Sequence, residues 1–300
     1  MKICNFICPV FFLVVMLFST CIHAEEPIIK EGATLIKAAD WFSFTEGPAT
    51  DDDGNVYFTD QPNDKIYKWM PDGTVALFME GTGRSNGMYF DDGLFLITCA
   101  DENNQLWAID IKSKEIEILL NNINGLKMNG PNDLWIDKKG GIYFTDPYYR
   151  RDYWENPEQE IEKENVYYLL PSGENVVTVD DKLVKPNGII GTPEGDKLYV
   201  ADIGDNKTYV YTIMPDGTLE NKTLFCEMGS DGMTIDNRGN IYLTGHGVHV
   251  FNPQGEKIEH IEIDEGWTAN ITFGGESLDI LFITAMGSVY TLEMNVHGVK

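Results

Sequence analysis

The sequence predicts an all-β fold, a six-bladed β-propeller with four antiparallel strands in each blade. Three observations favour it. Six strand-turn-strand units recur at roughly 40-residue spacing, Asp-Gly and Asn-Gly pairs stand where tight hairpins need positive φ angles, and no long segment carries a 3.6-residue period. A pair of β-sandwiches is the alternative, but it does not explain six copies of one unit.

Each unit repeats the same order of elements: a short strand, a turn rich in Asp, Gly and Asn, an apolar strand, a loop, a third strand and a fourth strand. The units begin at EGPATDDDG, NGMYFDDG, NDLWIDKKG, NGIIGTPEG, DGMTIDNRG and NITFGGES. The alternation in NVYFT and KIYKW is typical of strands. The short first segments fit the innermost strands of a propeller, which line a narrow channel.

The N-terminal segment has the features of a secretory signal. Lys2 precedes the apolar run 9–18, and Ala24 offers a cleavage point. The run is too short for a comfortable membrane span. We therefore expect a signal peptide over 1–24, a single propeller domain over 25–300 without an integral span, and a periplasmic or secreted protein. An uncleaved anchor and a lipid anchor at Cys21 are the less favoured alternatives.

Charge and cysteine content exclude several classes of protein. The formal net charge of −26 argues against nucleic-acid binding, which needs basic patches, and is compatible with a cation site. Three of the five cysteines lie in the predicted signal, leaving Cys99 and Cys226 in apolar, strand-like surroundings. We predict two buried thiols there in place of a disulfide.

An oxygen-bearing side chain stands before each predicted innermost strand. These six head positions are Glu46, Asn86, Asn132, Asn187, Asp231 and Asn270. Because a propeller brings equivalent positions around one axis, six oxygens would converge on the channel mouth. Carboxylate and amide oxygens suit a hard divalent cation. Asn and Asp before Gly are also ordinary turn residues, but no turn rule asks for Glu before Gly-Pro.

Loops that follow the second strands should lie on the same face as the heads, because that strand runs back towards them. This places five residues near the mouth: Asp60, Asp101, Asp146, Asp202 and His246. The aspartates are expected mainly to fix loops, whereas His246 could contact a substrate. The insertion 147–165 also lies there, either as a solvated loop capped by a short helix or as a lid carrying Tyr148, Tyr149, Arg150 and Trp154.

Five motifs, taken in order and spacing, resemble a known family: EGP at 46–48, NGPND at 129–133, FTDPYY at 144–149, PNG at 186–188 and SDGM at 230–233. Over roughly residues 40–295 the chain resembles gluconolactonase, senescence-marker protein (regucalcin) and luciferin-regenerating enzyme, with the gluconolactonase branch most similar. The resemblance implies a six-bladed propeller that binds one divalent cation. Calcium is the first expectation, with zinc, magnesium and manganese open.

The resemblance also implies ligands. By motif, Glu46, Asn187 and Asp231 are expected to bind the cation, with Asn132 as a fourth group for metal, substrate or water. Substrate contacts are predicted at Asn86, Asn132, Asp146, Tyr149 and His246. The regucalcin-like branch has an arginine two residues before the third head, where this chain has Gly130. That branch's substrate contacts are therefore not carried over.

These expectations define a metal-dependent lactonase. Lactone hydrolysis needs a polarised carbonyl and a nucleophilic water, and a cation with one open face supplies both. Asp231 is predicted as ligand and general base, and Asn132 as the group that orients substrate or water. No zinc-spaced His/Cys cluster is present. A non-catalytic propeller that binds a ligand or calcium is the alternative. We expect the partner to be a small-molecule lactone and the protein to be a monomer or dimer.

Overall fold

A computed structural model describes Met1 and residues 26–299, so the predicted signal segment lies almost entirely outside the described residues. In the described part, 24 strands form six four-stranded antiparallel sheets. The prediction of an all-β six-bladed propeller is confirmed. The same residues contain no helix that is both long enough and apolar enough to span a membrane.

Five blades follow one another along the chain, each with its innermost strand first. Blade 1 comprises β2 (Thr45–Thr50), β3 (Val56–Asp60), β4 (Lys65–Trp69) and β5 (Val75–Glu80). Blade 2 comprises β6 (Ser85–Asp91), β7 (Phe95–Ala100), β8 (Gln105–Asp110) and β9 (Ile116–Leu120). Blade 3 comprises β10 (Leu134–Ile136), β11 (Ile142–Asp146), β12 (Asn165–Leu169) and β13 (Val176–Asp180). Blade 4 comprises β14 (Pro186–Gly191), β15 (Lys197–Asp202), β16 (Lys207–Ile213) and β17 (Leu219–Cys226), and blade 5 comprises β18 (Met233–Ile235), β19 (Ile241–Gly245), β20 (Gly247–Phe251) and β21 (Lys257–Ile261).

Blade 6 joins the two ends of the described chain. Its three inner strands are β22 (Thr268–Gly274), β23 (Ile280–Ala285) and β24 (Ser288–Glu293), and its outer strand is β1 (Ile36–Ala39). The sixth repeat therefore supplies only three strands, and β1 pairs antiparallel with β24 to complete the blade. This closure pairs an edge of β24 that would otherwise be open.

The second strand of each blade contributes buried apolar side chains to the core, because neighbouring blades cover it on both faces. Phe58, Phe144, Leu243 and Ile283 sit at equivalent points of β3, β11, β19 and β23, and all are fully buried. Strands covered on both faces need near-continuous apolar sequence, which explains why these segments are the most hydrophobic of each repeat. Cys99 and Cys226 are buried free thiols, as the sequence predicted.

Buried threonines of the second strands bind the head of the next blade. Thr145 Oγ1 donates to the carbonyl of Asn187 at 2.8 Å, and Thr244 Oγ1 donates to the carbonyl of Ala269 at 2.8 Å. Both bonds cross a blade boundary in the dry interior, where leaving a carbonyl unpaired is costly. The backbone at the head positions is therefore held by the neighbouring blade as well as by its own.

Glycine follows four of the heads because the inner strands approach one another there. A Cβ added to Gly232 would lie 2.0 Å from Cγ of Asn270, and one added to Gly87 would lie 2.4 Å from Oδ1 of Asp133. No side chain fits at these distances without moving its neighbour. The repeated glycine thus lets polar side chains of the adjacent blade reach the channel axis.

Gly232→Ala is therefore expected to destabilise the propeller by roughly 1–3 kcal/mol, the usual effect of overpacking. For a domain of this size that corresponds to a melting temperature lower by several degrees. Differential scanning calorimetry measures it. The matched control is Gly266→Ala, because no atom lies within 4 Å of a Cβ built there. Equal melting temperatures for the two variants would contradict the packing argument.

Candidate active site

The heads of the first five blades line one end of the channel. Glu46, Asn86, Asn132 and Asn187 are at most 5 % exposed, and Asp231 is partly exposed. Each lies within two residues of the start of an innermost strand, as the repeat alignment predicted. The propeller thus brings together residues that are up to 185 positions apart in sequence, from Glu46 to Asp231.

Asn187 and Asp231 form the centre of this group. Asn187 Nδ2 donates to Asp231 Oδ1 at 2.8 Å and to the Tyr149 hydroxyl at 3.2 Å. Trp267 Nε1 donates to the other carboxylate oxygen of Asp231 at 2.6 Å. The Oδ1 atom of Asn187 is buried and has no hydrogen-bond partner. The amide nitrogen of Asn187 is therefore occupied by hydrogen bonds, and its oxygen is left available as a ligand.

Glu46 rests on a second layer of polar side chains deeper in the channel. Its Oε2 accepts the backbone N–H of Gly47 at 2.9 Å and the side-chain amide of Asn270 at 3.3 Å. The same Asn270 amide lies 3.5 Å from Asp133 Oδ2. Asp133 and Asn270 thus meet near the axis, beneath the heads, and Asn270 binds Glu46 from there.

The assignment of Asn270 as the sixth head is wrong. Ile271 N donates to Asn270 Oδ1 at 2.8 Å, in the same way that Leu134 N donates to Asp133 Oδ1 at 2.9 Å. Asn270 therefore occupies the position of Asp133 and of the four glycines, and Ala269 occupies the head position. The reason is register: a shift of one residue in a strand sends the side chain to the opposite side.

Burial and mutual repulsion disfavour ionisation of these carboxyl groups. Burial raises the pKa of Glu46 well above its ordinary value, and the nearby Asp231 and Asp133 raise it further. Burial also raises the pKa of Asp231, against the hydrogen bonds from Trp267 and Asn187 and the charge of Arg151, which lower it. A cation placed among these oxygens would reverse the effect, because opposite charge favours the ionised form.

The donor set fits a hard divalent cation of mixed carboxylate and amide ligation. Among residues 26–299, no three His, Cys, Asp or Glu side chains cluster closely enough to hold a metal by themselves. Two carboxylates, Glu46 and Asp231, would therefore need amide oxygens beside them. The unpartnered buried Oδ1 of Asn187 is such an oxygen. This matches the chemistry that calcium selects, in which carbonyl oxygens and carboxylates share the shell.

Asp133 gives a prediction about pH. Burial raises its pKa from the ordinary 3.8 to about 8, so the folded state holds a proton that the unfolded state has lost. Folding therefore takes up a proton between these values, and stability falls as pH rises from about 4 to about 8. Without added cation, Asp133→Asn should melt above the wild type, by a margin that widens over this range and then levels. Calorimetry at several pH values after chelator treatment checks it, and a margin independent of pH would contradict it.

Three of the four loop aspartates fix the chain that enters their own blade. Asp60 accepts from Ser43 N and Phe44 N, Asp146 from Asn129 N and Gly130 N, and Asp202 from Val184 N and Lys185 N. Asp146 is fully buried. It supports the loop that carries Asn132, and its contact with substrate stays a prediction.

Asp101 differs from the other three because it binds the insertion. We call residues 147–164 the strap. Arg151 Nε and the Tyr153 hydroxyl both donate to the Asp101 carboxylate, and Trp154 Nε1 donates to its carbonyl at 2.8 Å. The strap consists of turns and bends, without the predicted short helix. The strap reaches from blade 3 to blade 2 across the face of the propeller that carries the heads.

Gly130 leaves room for this strap. A Cβ at Gly130 would lie 3.0 Å from the Trp154 ring and 3.1 Å from Asp101 Oδ1, and φ there is +143°. Trp154 is itself only 6 % exposed. A larger residue at position 130 would therefore displace the strap from its contact with Asp101.

His246 lies beside the mouth. Its exposed imidazole meets Trp267 edge to face with ring centroids 5.4 Å apart, and Trp267 in turn binds Asp231. The His246 carbonyl lies 3.1 Å from Nε2 of both His249 and His260, whose rings stack. His246 is thus placed as predicted, and His249 packs against its neighbouring strand.

The opposite end of the channel holds a cavity of about 420 Å³. Apolar and polar side chains share its walls, the apolar ones including Met88, Trp135, Ile189 and Phe273, and Asp133 and Asn270 also line it. None of the five heads lines it. The polar second layer therefore separates this cavity from the candidate site.

Sequence reasoning missed two residues that shape the site. Trp267 orients Asp231, but it stands in a loop outside every repeat motif, so nothing in the pattern signalled it. Asp133 was overlooked although a signal existed: it replaces the glycine that follows four other heads. Among the five heads, only Asn132 is followed by a residue other than glycine, and that residue, Asp133, lies near the channel axis.

Comparison with known proteins agrees with this architecture. The family described as SMP-30/Gluconolactonase/LRE-like region matches residues 44–287. A gluconolactonase of Zymomonas mobilis is 29 % identical over 286 residues, covering 85 % of this chain and 80 % of that protein. A solved gluconolactonase from Xanthomonas campestris has a TM-score of 0.82 and 27 % identity, covering 91 % of this chain and 96 % of the other.

A more distant structure shows the fold alone. The calcium-binding protein regucalcin from Agrobacterium tumefaciens has a TM-score of 0.74 at 16 % identity, covering 91 % of this chain and 95 % of the other. The match over residues 44–287 takes in all five head residues and the strap. On this evidence the chain belongs to the SMP-30/gluconolactonase/LRE-like family.

Proposed function

We propose that the protein is a hydrolase that opens a sugar lactone to its aldonic acid at the channel mouth. The observation that carries the proposal is the group formed by Glu46, Asn187 and Asp231, with the Asn187 oxygen buried and unpartnered. A propeller that served only as a scaffold has no use for two carboxylates gathered around an available oxygen. The gluconolactonase relatives supply the reaction class.

A divalent cation belongs to this proposal. Glu46, Asn187 and Asp231 would hold it, with Asn132 as a further oxygen, and calcium is the first candidate, ahead of zinc, magnesium and manganese. When bound, such a cation polarises the lactone carbonyl and lowers the pKa of an adjacent water.

The residues of the chain then carry the proton. Asp231 takes a proton from the attacking water as water adds to the lactone carbonyl. The bond between the carbonyl carbon and the ring oxygen breaks, and the proton passes to that leaving oxygen, which becomes a hydroxyl. The new carboxylic acid releases a proton to solvent. Trp267 and Asn187 keep the carboxylate oriented, since each donates to one of its oxygens.

Further side chains at the mouth are assigned to the substrate. Asn132 and Asn86 present amides from the neighbouring heads, and Tyr149 presents its hydroxyl beside Asn187. His246 closes the side next to Trp267. These groups can donate to and accept from the hydroxyls of a sugar, which is why a sugar lactone is the proposed class.

The test is a pH-indicator assay, because hydrolysis releases a proton. Glucono-1,5-lactone and a panel of other lactones are offered with and without EDTA. We expect turnover of at least one sugar lactone that EDTA abolishes and a divalent cation restores. Absence of turnover on every lactone, together with calorimetric binding of calcium, would favour the non-catalytic binding propeller.

Export and assembly complete the proposal. We propose that the segment 1–24 is a signal peptide and that the exported protein is a monomer or dimer. N-terminal sequencing of protein from the periplasm or medium tests the first statement, and light scattering tests the second. An intact N-terminus in the exported protein would contradict cleavage.

A further inference from the structure

Arg151 is a cation of the strap that stands near the heads. Its Nε donates to Asp101 Oδ2 at 3.0 Å, and its side chain is 28 % exposed while that of Asp101 is 4 % exposed. Its guanidinium carbon lies 5.5 Å from the centre of the Tyr149 ring. Tyr149 in turn contacts Asn187. The guanidinium is thus separated from the heads by one aromatic side chain.

The strap holds Arg151 firmly in this place. Tyr153 donates its hydroxyl to the same Asp101 carboxylate, and Trp154 donates to the Asp101 carbonyl at 2.8 Å. Two side chains that follow Arg151 along the chain are therefore tied down as well. A guanidinium fixed in advance loses little conformational entropy when it binds a ligand.

The two terminal nitrogens of Arg151 are left for a ligand. Only its Nε takes part in a hydrogen bond within residues 26–299. The charge nevertheless acts on the heads, since it opposes the rise in the pKa of Asp231. Lys185 lies over the Tyr149 ring at 4.5 Å, but its ammonium already binds the Tyr148 carbonyl and Glu164. Arg151 therefore has two open donor nitrogens on this side of the mouth.

We propose that Arg151 is an anion subsite that binds the carboxylate formed when the lactone opens. The inference rests on the proposed function. Two parallel N–H groups of a guanidinium match the two oxygens of a carboxylate, a geometry that lysine cannot reproduce. The ester group of the lactone is neutral and its ring oxygen is a weak acceptor, so it does not form this charged, two-fold pair. Arg151 thus favours the ring-opened acid and sets the affinity for product.

The test compares an aldonate with the alditol of the same carbon chain. Gluconate and glucitol carry the same secondary hydroxyls and differ at one end, where gluconate has the carboxylate. Binding of each is measured by calorimetry, without turnover, for the wild type, Arg151→Gln, Arg151→Lys and Arg150→Gln. Arg150 is the matched control because it is exposed and adjacent in sequence. Unchanged melting temperatures establish that each variant is folded.

We expect Arg151→Gln to weaken gluconate binding by about tenfold or more and glucitol binding by less than about twofold, in line with the loss of a charge-assisted pair. Arg151→Lys, which keeps the charge and the pairing with Asp101, should lose an intermediate amount. Arg150→Gln should change neither. If Arg151→Gln does not fold, Arg151→Lys alone decides, through the ratio of its loss of gluconate affinity to its loss of glucitol affinity.

Equal losses for gluconate and glucitol would overturn the proposal, because Arg151 would then contact hydroxyls or merely support the strap. Unchanged binding of both would overturn it as well. The outcome is separable from the proposed function. A wild type that hydrolyses no lactone, yet binds gluconate through Arg151, would refute the lactonase and retain the subsite.

Discussion

Asp231→Asn is expected to lower kcat by roughly two to four orders of magnitude, the usual contribution of a general base. The substitution keeps an oxygen ligand and the approximate shape of the side chain. It removes the charge and the ability to accept the proton of the attacking water. The loss should therefore persist when the divalent cation is saturating, since mass action cannot replace a missing base.

Asn187→Ala provides the contrast. It deletes the unpartnered oxygen beside Asp231 but leaves the carboxylate in place. Its activity should recover in part when the cation concentration is raised, because a weaker ligand set is offset by more cation. His249→Ala is the control: that ring hydrogen-bonds the His246 carbonyl and stacks on His260, away from Asp231, so little beyond a modest loss of stability is expected.

The measurement is activity against cation concentration for the wild type and these three variants. Two results together support the assigned roles. Asp231→Asn should show a lower kcat at saturating cation, and Asn187→Ala should need a higher cation concentration to reach the same fraction of its activity. Full activity of Asp231→Asn would remove it as the base. A wild type insensitive to EDTA would remove the cation mechanism altogether.

Glu46→Gln is expected to cause the largest loss of cation affinity. Glu46 is 4 % exposed and carries one of the two carboxylates among the heads. Replacing it by a neutral amide of the same shape removes half of the formal charge that balances a divalent cation. The cation concentration needed for half-maximal activity should rise by at least about tenfold, because the affinity of such sites follows the number of charged ligands.

The same substitution should affect stability in opposite directions with and without cation. Burial and the neighbouring Asp231 raise the pKa of Glu46, so ionising it in the cation-free fold is costly. At neutral pH and without cation, Glu46→Gln should therefore melt at or above the wild-type temperature. With cation present the wild type gains stability by binding and the variant gains much less. Parallel calorimetry in EDTA and in excess calcium measures both. A variant stabilised by calcium as much as the wild type would exclude Glu46 as a ligand.

The sequence by itself determined the blades and most of the site. Repeated Asp-Gly and Asn-Gly turns, together with strands of period two, specify hairpins through local chemistry, which needs no knowledge of distant contacts. The heads Glu46, Asn86, Asn132, Asn187 and Asp231 could be found in the same way, because equivalent positions of a closed ring must converge. Both features were visible in short windows of the chain.

The tertiary structure alone decided what depends on register and on distant pairing. Asn270 looks like a head in the sequence, yet a shift of one residue against β23 places Ala269 there and sends the Asn270 side chain to Asp133 and Glu46. Likewise, β1 completes a blade with β24, about 250 residues away in sequence. Local propensity cannot show such pairings, because their free energy comes from burial between segments that meet only in the folded state.

The strap follows the same rule. Its composition left both a solvated loop and a lid open, and its role depends on the Asp101 carboxylate of the neighbouring blade, to which Arg151 donates. Trp267 likewise gains its importance from Asp231, 36 positions earlier in the chain. Turn chemistry and strand period are written into each repeat, whereas the contacts that orient a carboxylate or a guanidinium arise between repeats and exist only once the ring has closed.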